Sequence, residues 1–413
     1  MSPASVPAPA HGTIADGFGP LARRFAAHLA DGDELGASVV VYWRGRRVAK
    51  LWGGLADVAS GRAWQHDTRI VVFSVTKGLV AMALNLASER GLFEWDAPVA
   101  SYWPEFARAG KERVTVRALF NHRAGLAGLD APLSLRDCLE PAATERVRRA
   151  LEEQKPAWEP DSEQGYHAQS FGLYAAELFR RVAGEELSDF LHRELLEPVG
   201  SDARLGTPAS EDARIATLYP PPAGLRLARM FGSVLAGNSN EARVMRAALA
   251  PGSVGRRAFL NPRVGPRGLL AYNEPPVRRA ALLWASATAS ADGVARAYLP
   301  LSLGGSLDGR RYFRPETLAP LHRRQSWSEQ DRVLQKPLGW SQGFLKEEED
   351  VFAPNPESFG HAGMGGALGF CDPVRELAFG YVMNRMDWRV RSPRVKALCR
   401  ALYACPALLE RGA

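Results

Sequence analysis

The chain has 413 residues, of which 46% are hydrophobic and 23% are charged. This length is sufficient for two packed subdomains, and the composition is that of an ordinary globular protein rather than a disordered chain. No apolar run reaches the ~18 residues that a membrane-spanning helix needs, so we expect no membrane partner.

The net charge of +7 raises the question of an acidic partner. However, the basic residues are scattered in short pairs such as Arg23-Arg24 and Arg323-Arg324, and no basic stripe interleaved with aromatic residues occurs. Such a stripe is typical of nucleic-acid binding, and its absence predicts that the chain does not bind nucleic acid.

The four cysteines, Cys138, Cys371, Cys399 and Cys405, form neither a C-x-x-C pair nor a Cys/His spacing typical of a metal site. We therefore expect reduced, mostly buried thiols, with no metal and no cofactor. Residues 1–12 are rich in Pro and Ala but lack a basic segment followed by an apolar one, which favours a cytoplasmic location.

The first elements in chain order are a helix and a hairpin. A helical pattern covers residues 21–29, and β-branched and aromatic residues at 39–43 predict a strand, with a turn at 44–47 and a second strand at 48–52. A strand-like run at 70–73 then leads into a helix from Ser74 to Glu89. Because this helix is apolar on nearly every side, we expect it to be central and buried, with Gly91 at its end.

The middle of the chain, residues 97–285, alternates helices (clearest at 116–120, 171–182 and 187–196) with loops, one of them at the prolines 220–222. Ser290 then caps a helix that Pro300 is expected to stop, strands follow at 338–344, 367–371 and 377–383, and a helix closes the chain at 395–402. This order predicts an α/β (α+β) fold whose sheet is built from both termini. It also predicts an α/β subdomain of residues 1–73 and 287–413 and a mainly helical subdomain of residues 74–286.

Ser74-Val75-Thr76-Lys77 is an S-x-x-K motif at the start of the predicted central helix. Residues three apart share a helix face, so the amine of Lys77 can reach the hydroxyl of Ser74. A serine hydroxyl becomes a good nucleophile when a neighbour takes its proton, and a buried lysine can be neutral enough to do so. The tetrapeptide alone also fits a serine helix cap followed by a lysine that reaches the surface.

Residues 73–78 resemble the active-site segment of class C β-lactamases, penicillin-binding proteins and family VIII carboxylesterases. Three further segments follow in the order of that superfamily: an L-x-x-H-x-x-G-L at 119–126, the segment around Tyr166, and residues 359–363, where a K-T-G strand is expected. The resemblance extends from about residue 36 to residue 386. It implies a β-lactamase-like fold, with an antiparallel sheet flanked by helices, a helical subdomain, and the active site between the two subdomains.

The resemblance also implies roles for individual residues. Tyr166 becomes the second acid/base group, and the backbone N–H groups of Ser74 and Met364 form an oxyanion hole. His361 and Gly363 are expected to contact the substrate, although His361 could instead only pack or donate a hydrogen bond. The usual Y-x-N ends here in Ala168, and His361 replaces the lysine of K-T-G. Both departures favour esters over β-lactams as substrates.

A second serine, Ser341, lies in the G-x-S-x-G sequence of residues 339–343. A nucleophile elbow of this kind requires a strand before the serine and a helix after it. The sequence that follows predicts a strand that runs into a charged turn at 347–350, so we interpret Ser341 as a sheet residue.

The main hypothesis is therefore a carboxylesterase that cleaves short-chain esters through an acyl-enzyme on Ser74, with Lys77 and Tyr166 transferring protons. Alternatives on the same residues are a β-lactamase, an amide or D-peptide hydrolase, and an acyltransferase. An α/β-hydrolase that uses Ser341 and a catalytically silent binding protein are hypotheses of other classes.

Overall fold

The computed structural model describes residues 3–4, 9–221, 239–346 and 353–409. Within these ranges, fifteen strands, β1 to β15, span Pro3–Ala4, His11–Ala15, Gly36–Trp43, Arg46–Asp57, Arg62–Ala63, Ile70–Val71, Thr288–Ala289, Ser306–Leu307, Arg310–Arg311, Ser326–Ser328, Leu338–Ser341, Phe344–Leu345, Phe359–Ala362, Leu368–Asp372 and Leu377–Met383.

The α-helices of the same ranges, α1 to α14, span Gly19–Ala30, Val75–Glu89, Val116–Phe120, Leu135–Leu139, Thr144–Glu153, Ser170–Ala183, Leu187–Leu191, Asn240–Leu249, Val254–Leu260, Pro275–Arg279, Ala291–Ser302, Pro315–Leu318, Pro393–Tyr403 and Pro406–Leu409. A turn of π-helix continues α7 over His192–Leu196. Short 3₁₀ helices lie at Val99–Ser101, Pro104–Ala107, Pro141–Ala143, Ala209–Arg214, Gly268–Asn273, Ala319–His322 and Met364–Gly366.

One large sheet dominates the fold and is built from both ends of the chain. Its strands lie in the order β1-β2-β4-β3-β15-β14-β13-β12-β11-β10, with β5 paired to β4, and every neighbouring pair is antiparallel. The N-terminal strand β3 pairs with the C-terminal strand β15 along seven residues. The prediction of an α/β (α+β) fold with one antiparallel sheet from both termini is therefore confirmed.

The centre of the sheet is covered on both faces. Every residue of β15, and every residue of β3 except Trp43, is buried, which requires protein on both sides of these strands. Helix α11 lies directly on β14 and β15, where a side chain added at Gly380 would come within 2.2 Å of the backbone oxygen of Ala291. Glycine at this position allows the close approach of helix and sheet.

Between residues 75 and 287, every regular element in the described part of the chain is a helix. The predicted central helix is α2, which is buried from Val75 to Ala87 and packs against β13, α6 and α7. The proposed subdomain boundaries at residues 73/74 and 286/287 stay a prediction.

Two hairpin turns differ from the prediction, one by being tighter and the other by not being foreseen. The first turn consists only of Arg44 and Gly45, so that β4 already begins at Arg46, and the predicted strand at 338–344 is divided by a second turn at Gln342 and Gly343. All four turn residues have positive φ, between 45° and 86°. Two-residue turns of this kind match the twist of the paired strands, which therefore start immediately on either side.

Two further predictions were wrong in their extent. The strand-like run at 70–73 is a strand only over Ile70–Val71, which pairs with β7, because Phe73 adopts a positive φ of 47°. Pro300 does not stop its helix, since α11 continues to Ser302. A proline so near the helix end removes one backbone hydrogen bond, and the buried residues Leu299 and Leu301 on either side hold the last turn in place.

All four cysteines are free thiols, and only Cys138 is partly exposed. No helix in the described ranges is long and apolar enough to cross a membrane. Pro222 and the predicted charged turn at 347–350 lie outside the described residues.

Candidate active site

Ser74 stands at the N-terminus of the central helix. It is the residue immediately before α2, and the positive φ of Phe73 turns the chain sharply just ahead of it. This conformation is unfavourable for a bulky residue and must be held by its surroundings. The Phe73 ring is buried against Tyr272, with the ring centroids 5.1 Å apart. The packing of Phe73 thus fixes the turn that presents Ser74.

Lys77 lies one helical turn later and is fully buried. Its Nζ is 3.2 Å from Ser74 Oγ and donates a hydrogen bond to the backbone oxygen of Trp284 at 2.9 Å. The rings of Tyr166 and Phe171 also enclose the amine, with centroids at 5.1 and 6.0 Å. Burial lowers the pKa of Lys77 well below its ordinary value, because the apolar surroundings disfavour the ammonium form.

Tyr166 approaches Ser74 from the other side. Its hydroxyl donates a hydrogen bond to Ser74 Oγ at 2.8 Å, and its ring stacks on Trp340 at an interplanar angle of 8°. The backbone N–H of Tyr166 donates to the buried carboxylate of Asp331 at 3.1 Å. Burial raises the pKa of Tyr166, so the phenol keeps its proton.

Gly363 brings the end of β13 against the segment that precedes Ser74. A Cβ atom at this position would lie 2.3 Å from the backbone oxygen of Val72, so only glycine allows this approach. Met364 follows in a 3₁₀ turn, Met364–Gly366, and its side chain is 41% exposed. The structure thus places the turn that contains Met364 beside the strand end that leads to Ser74.

His361 lies on β13 and is buried in the same wall of the site. Its ring is 6.2 Å from the Tyr166 ring and 5.7 Å from the Trp340 ring. Its Nδ1 is 2.9 Å from the backbone oxygen of Ala362 and therefore carries a proton, since that oxygen can only accept. Burial lowers the pKa of His361 well below its ordinary value, so the imidazole is neutral.

Three residues that sequence reasoning missed also act on the site. The backbone oxygen of Trp284 holds the lysine amine, and the carboxylate of Asp331 holds the tyrosine backbone. The guanidinium of Arg391 lies close enough to lower the pKa of Tyr166, an influence opposite to that of burial. No local pattern marks Trp284 or Asp331, because each lies more than 160 residues along the chain from its partner.

Ser341 is far less suited to act as a nucleophile. It lies at the end of β11, is fully buried, and donates its hydroxyl to the backbone oxygen of Pro320 at 3.1 Å. A tight turn and the strand β12 follow it instead of a helix. Its interpretation as a sheet residue is confirmed.

No group of three or more His, Cys, Asp or Glu side chains in the described part of the chain is arranged to hold a metal ion.

Comparison with known proteins agrees with this architecture. A family model described as Beta-lactamase matches residues 21–400. The chain is 32% identical over 376 residues to the "Esterase/beta-lactamase LipL" of Mycobacterium tuberculosis, a match that covers 89% of this chain and 81% of the relative.

Two solved structures resemble the whole chain. A family VIII carboxylesterase superposes with a TM-score of 0.83 at 33% identity, and a penicillin-binding protein homologue from Caulobacter crescentus superposes with a TM-score of 0.82 at 31% identity. Each match covers 96% of this chain and 99% of the other.

The fold and these neighbours define a serine hydrolase of the β-lactamase and esterase type. The chain belongs to the beta-lactamase family.

Proposed function

We propose that the protein is a carboxylesterase that hydrolyses short-chain esters through an acyl-enzyme on Ser74. The observation that carries this proposal is the position of Ser74 Oγ, which lies 3.2 Å from the Lys77 amine and 2.8 Å from the Tyr166 hydroxyl. One nucleophile thus has two proton-transfer groups within hydrogen-bond reach.

The direction of proton transfer follows from the pKa shifts. A neutral Lys77 has two N–H groups and one lone pair, and the backbone oxygen of Trp284 accepts one N–H. The lone pair can then accept the proton of the Ser74 hydroxyl, while that hydroxyl oxygen accepts a hydrogen bond from Tyr166. This order makes Lys77 the general base when Ser74 attacks the ester carbonyl.

In the acylation step, the bond between Ser74 Oγ and the carbonyl carbon forms as the serine proton moves to Lys77. The backbone N–H groups of Ser74 and Met364 stabilise the negative charge that develops on the carbonyl oxygen. The ester C–O bond then breaks, and the departing alkoxide takes a proton from Tyr166, which Lys77 in turn reprotonates. Water completes the cycle by attacking the acyl carbon, and Lys77 and Tyr166 take up the proton that the water loses. The bond between this carbon and Ser74 Oγ then breaks, and the same two residues return a proton to Ser74.

Residues from both proposed subdomains contribute to the site. Ser74, Lys77 and Tyr166 belong to the mainly helical part, residues 74–286, whereas His361 and Met364 belong to the part formed by residues 1–73 and 287–413. We therefore place the substrate cleft between the two.

Preference for esters rests on two residues. His361 is neutral and buried where the resemblance predicts a lysine, so it offers no cation to the carboxylate of a β-lactam. Ala168 has no side-chain amide with which to hold a lactam carbonyl. β-Lactam hydrolysis is the second candidate, and it merits a test because the Mycobacterium tuberculosis relative is named for both activities.

The nucleophile is tested by labelling with a fluorophosphonate followed by peptide mapping. We expect the label on Ser74, and Ser74→Ala should abolish both labelling and hydrolysis of p-nitrophenyl butyrate. The matched control is Ser341→Ala, which removes one buried hydroxyl and should keep most of the activity. A label on Ser341, or activity that survives Ser74→Ala, would overturn the proposal.

Substrate preference is tested with a panel of p-nitrophenyl esters of increasing chain length beside a chromogenic cephalosporin. The proposal requires kcat/KM for the short esters to exceed that for the cephalosporin. The reverse order would identify the protein as a β-lactamase that uses the same nucleophile.

A further inference from the structure

Two buried histidines, His122 and His167, contact each other directly behind Tyr166. Their Nδ1 atoms are 2.8 Å apart, and their rings stack with centroids 5.0 Å apart. The backbone N–H of His167 also donates to His122 Nδ1 at 3.0 Å. The proposed mechanism uses neither histidine.

The contacts determine which nitrogen carries each proton. His122 Nδ1 accepts from a backbone N–H and therefore has no proton of its own. With His122 Nδ1 unprotonated, the short contact assigns the proton to His167 Nδ1, so the single lone pair of His122 Nδ1 is shared between the two donors. Burial keeps both rings neutral, since it lowers the pKa of His122 well below its ordinary value and that of His167 to about 3.

His122 holds the chain on both sides of Tyr166. Its backbone oxygen accepts the N–H of Gly165 at 3.0 Å, and its Nδ1 accepts the N–H of His167. Asp331 accepts the N–H of Tyr166 itself, so three successive backbone amides are each anchored to another part of the chain. Such anchoring fixes the backbone from which the phenol projects toward Ser74.

The ring of His122 supports the tyrosine as well. It packs edge-on against the Tyr166 ring, 5.1 Å away, and against the Trp340 ring, 4.1 Å away, while Trp340 stacks on Tyr166. His122 also has a positive φ of 62°, a conformation that Asn tolerates well among the non-glycine residues.

We propose that His122 and His167 are positioning residues, whose Nδ1-to-Nδ1 hydrogen bond and shared backbone contacts hold the Tyr166 hydroxyl in line with Ser74. This inference rests on the proposed role of Tyr166 as proton donor.

The test replaces each histidine by asparagine and by glutamine, whose side-chain amides lie near the places of Nδ1 and Nε2, respectively. In His122→Asn the side-chain oxygen occupies the place of Nδ1 and can accept both hydrogen bonds, whereas in His122→Gln the amide lies near the place of Nε2 and cannot. In the same way, His167→Asn keeps an N–H donor at the place of His167 Nδ1, and His167→Gln removes it. Gln is closer to histidine in volume, so packing alone predicts the opposite order of activity.

We expect both Gln variants to lower kcat for an alkyl ester roughly 10- to 100-fold with little change in KM, and both Asn variants to keep most of the activity. His66→Gln, at an exposed histidine, is the matched control and should be unchanged. If His122→Gln does not fold, His167→Gln tests the same contact, because it removes only the bond between the rings. Equal activity of the Asn and Gln variants, or better activity of Gln, would overturn the inference.

A double-variant cycle distinguishes positioning from a general loss of structure. In a Tyr166→Phe background, His167→Gln should cause no further loss of kcat, because the hydroxyl that it positions is absent. A further loss as large as in the native background would show that the histidines act on the fold rather than through Tyr166. If Tyr166→Phe alone is fully active, the proposed function of Tyr166 itself fails. The single variant shows this result, so it is distinguishable from a failure of the proposal about the histidines.

Discussion

Replacement of Gly363 by Ala should separate the two segments that meet at the active site. The added Cβ would lie 2.3 Å from the backbone oxygen of Val72, and real Cβ contacts are essentially never closer than 3.0 Å. The difference requires a displacement of at least about 0.7 Å between the end of β13 and the segment before Ser74. Alanine itself adopts the backbone angles of Gly363 without strain, since φ is −96° and ψ is 152°.

The displacement should affect catalysis as well as folding. Val72 lies two residues before Ser74, and Met364 follows Gly363, so a shift between them changes the distance from the nucleophile to the proposed oxyanion donor. A misplacement of about 1 Å can lower the rate on the order of 100-fold, whereas overpacking of this kind costs about 1–3 kcal/mol of stability. We therefore expect kcat for a short-chain ester to fall roughly 10- to 100-fold.

The matched control is Gly380→Ala, whose Cβ would lie 2.2 Å from the backbone oxygen of Ala291. This clash is as severe but lies on β15, two strands from β13. Thermal unfolding measures the loss of stability in both variants, and rates are expressed per active site titrated with a fluorophosphonate. Equal kcat in the two variants, or kcat of Gly363→Ala within about twofold of the native value, would refute the reasoning.

Three further outcomes are expected. Tyr166→Phe should reduce kcat for an alkyl ester about 100-fold and that for a p-nitrophenyl ester much less, because a poor leaving group depends more on the proton donor; equal reductions would contradict this role. A pH series should show kcat/KM falling as acid protonates Lys77 at its depressed pKa, with no alkaline fall near the ordinary tyrosine pKa of ~10, since the pKa of Tyr166 is raised. Burial lowers the pKa of Lys111 from 10.5 to about 8, so the unfolded chain binds more protons between these values. The difference in free energy of unfolding between the native protein and Lys111→Met should therefore rise by about 3 kcal/mol, in favour of the native protein, from pH 8 to pH 10.5. Denaturant unfolding at a series of pH values measures this difference, and a difference that does not change with pH would contradict the prediction.

Much of the fold could be predicted because its elements have local signals. A continuous apolar run predicted β15 to the residue, and the apolar character of residues 75–87 predicted a buried central helix. The turns at Arg44 and Gln342 were not predicted in detail, because neither residue favours the positive φ that each adopts. Pairing with the neighbouring strands imposes that conformation, and the Gly that follows each residue is the one signal that could have suggested it.

Local spacing predicted the candidate site only where one helix decides the geometry, and the family resemblance supplied Tyr166, His361 and the segment around Gly363. Ser74 and Lys77 are three residues apart on a helix, which alone places the amine near the hydroxyl. Trp284 and Asp331 contribute through a backbone oxygen and a carboxylate that only the tertiary fold brings to the site. The pairing of His122 with His167 likewise depends on two loops 45 residues apart meeting in the core.

Exclusion of water shifts the two groups beside Ser74 in opposite directions. Burial disfavours charge, so it lowers the pKa of Lys77 and raises that of Tyr166, the directions that the proposed general base and general acid require. Arg391 and Asp331 influence the phenol in opposite directions, and burial exceeds both. A lysine at position 361 would place a second amine near Lys77, whereas the neutral His361 adds no charge to the site. We therefore expect the histidine at position 361 to weaken recognition of the anionic group of a β-lactam while leaving an uncharged ester unaffected.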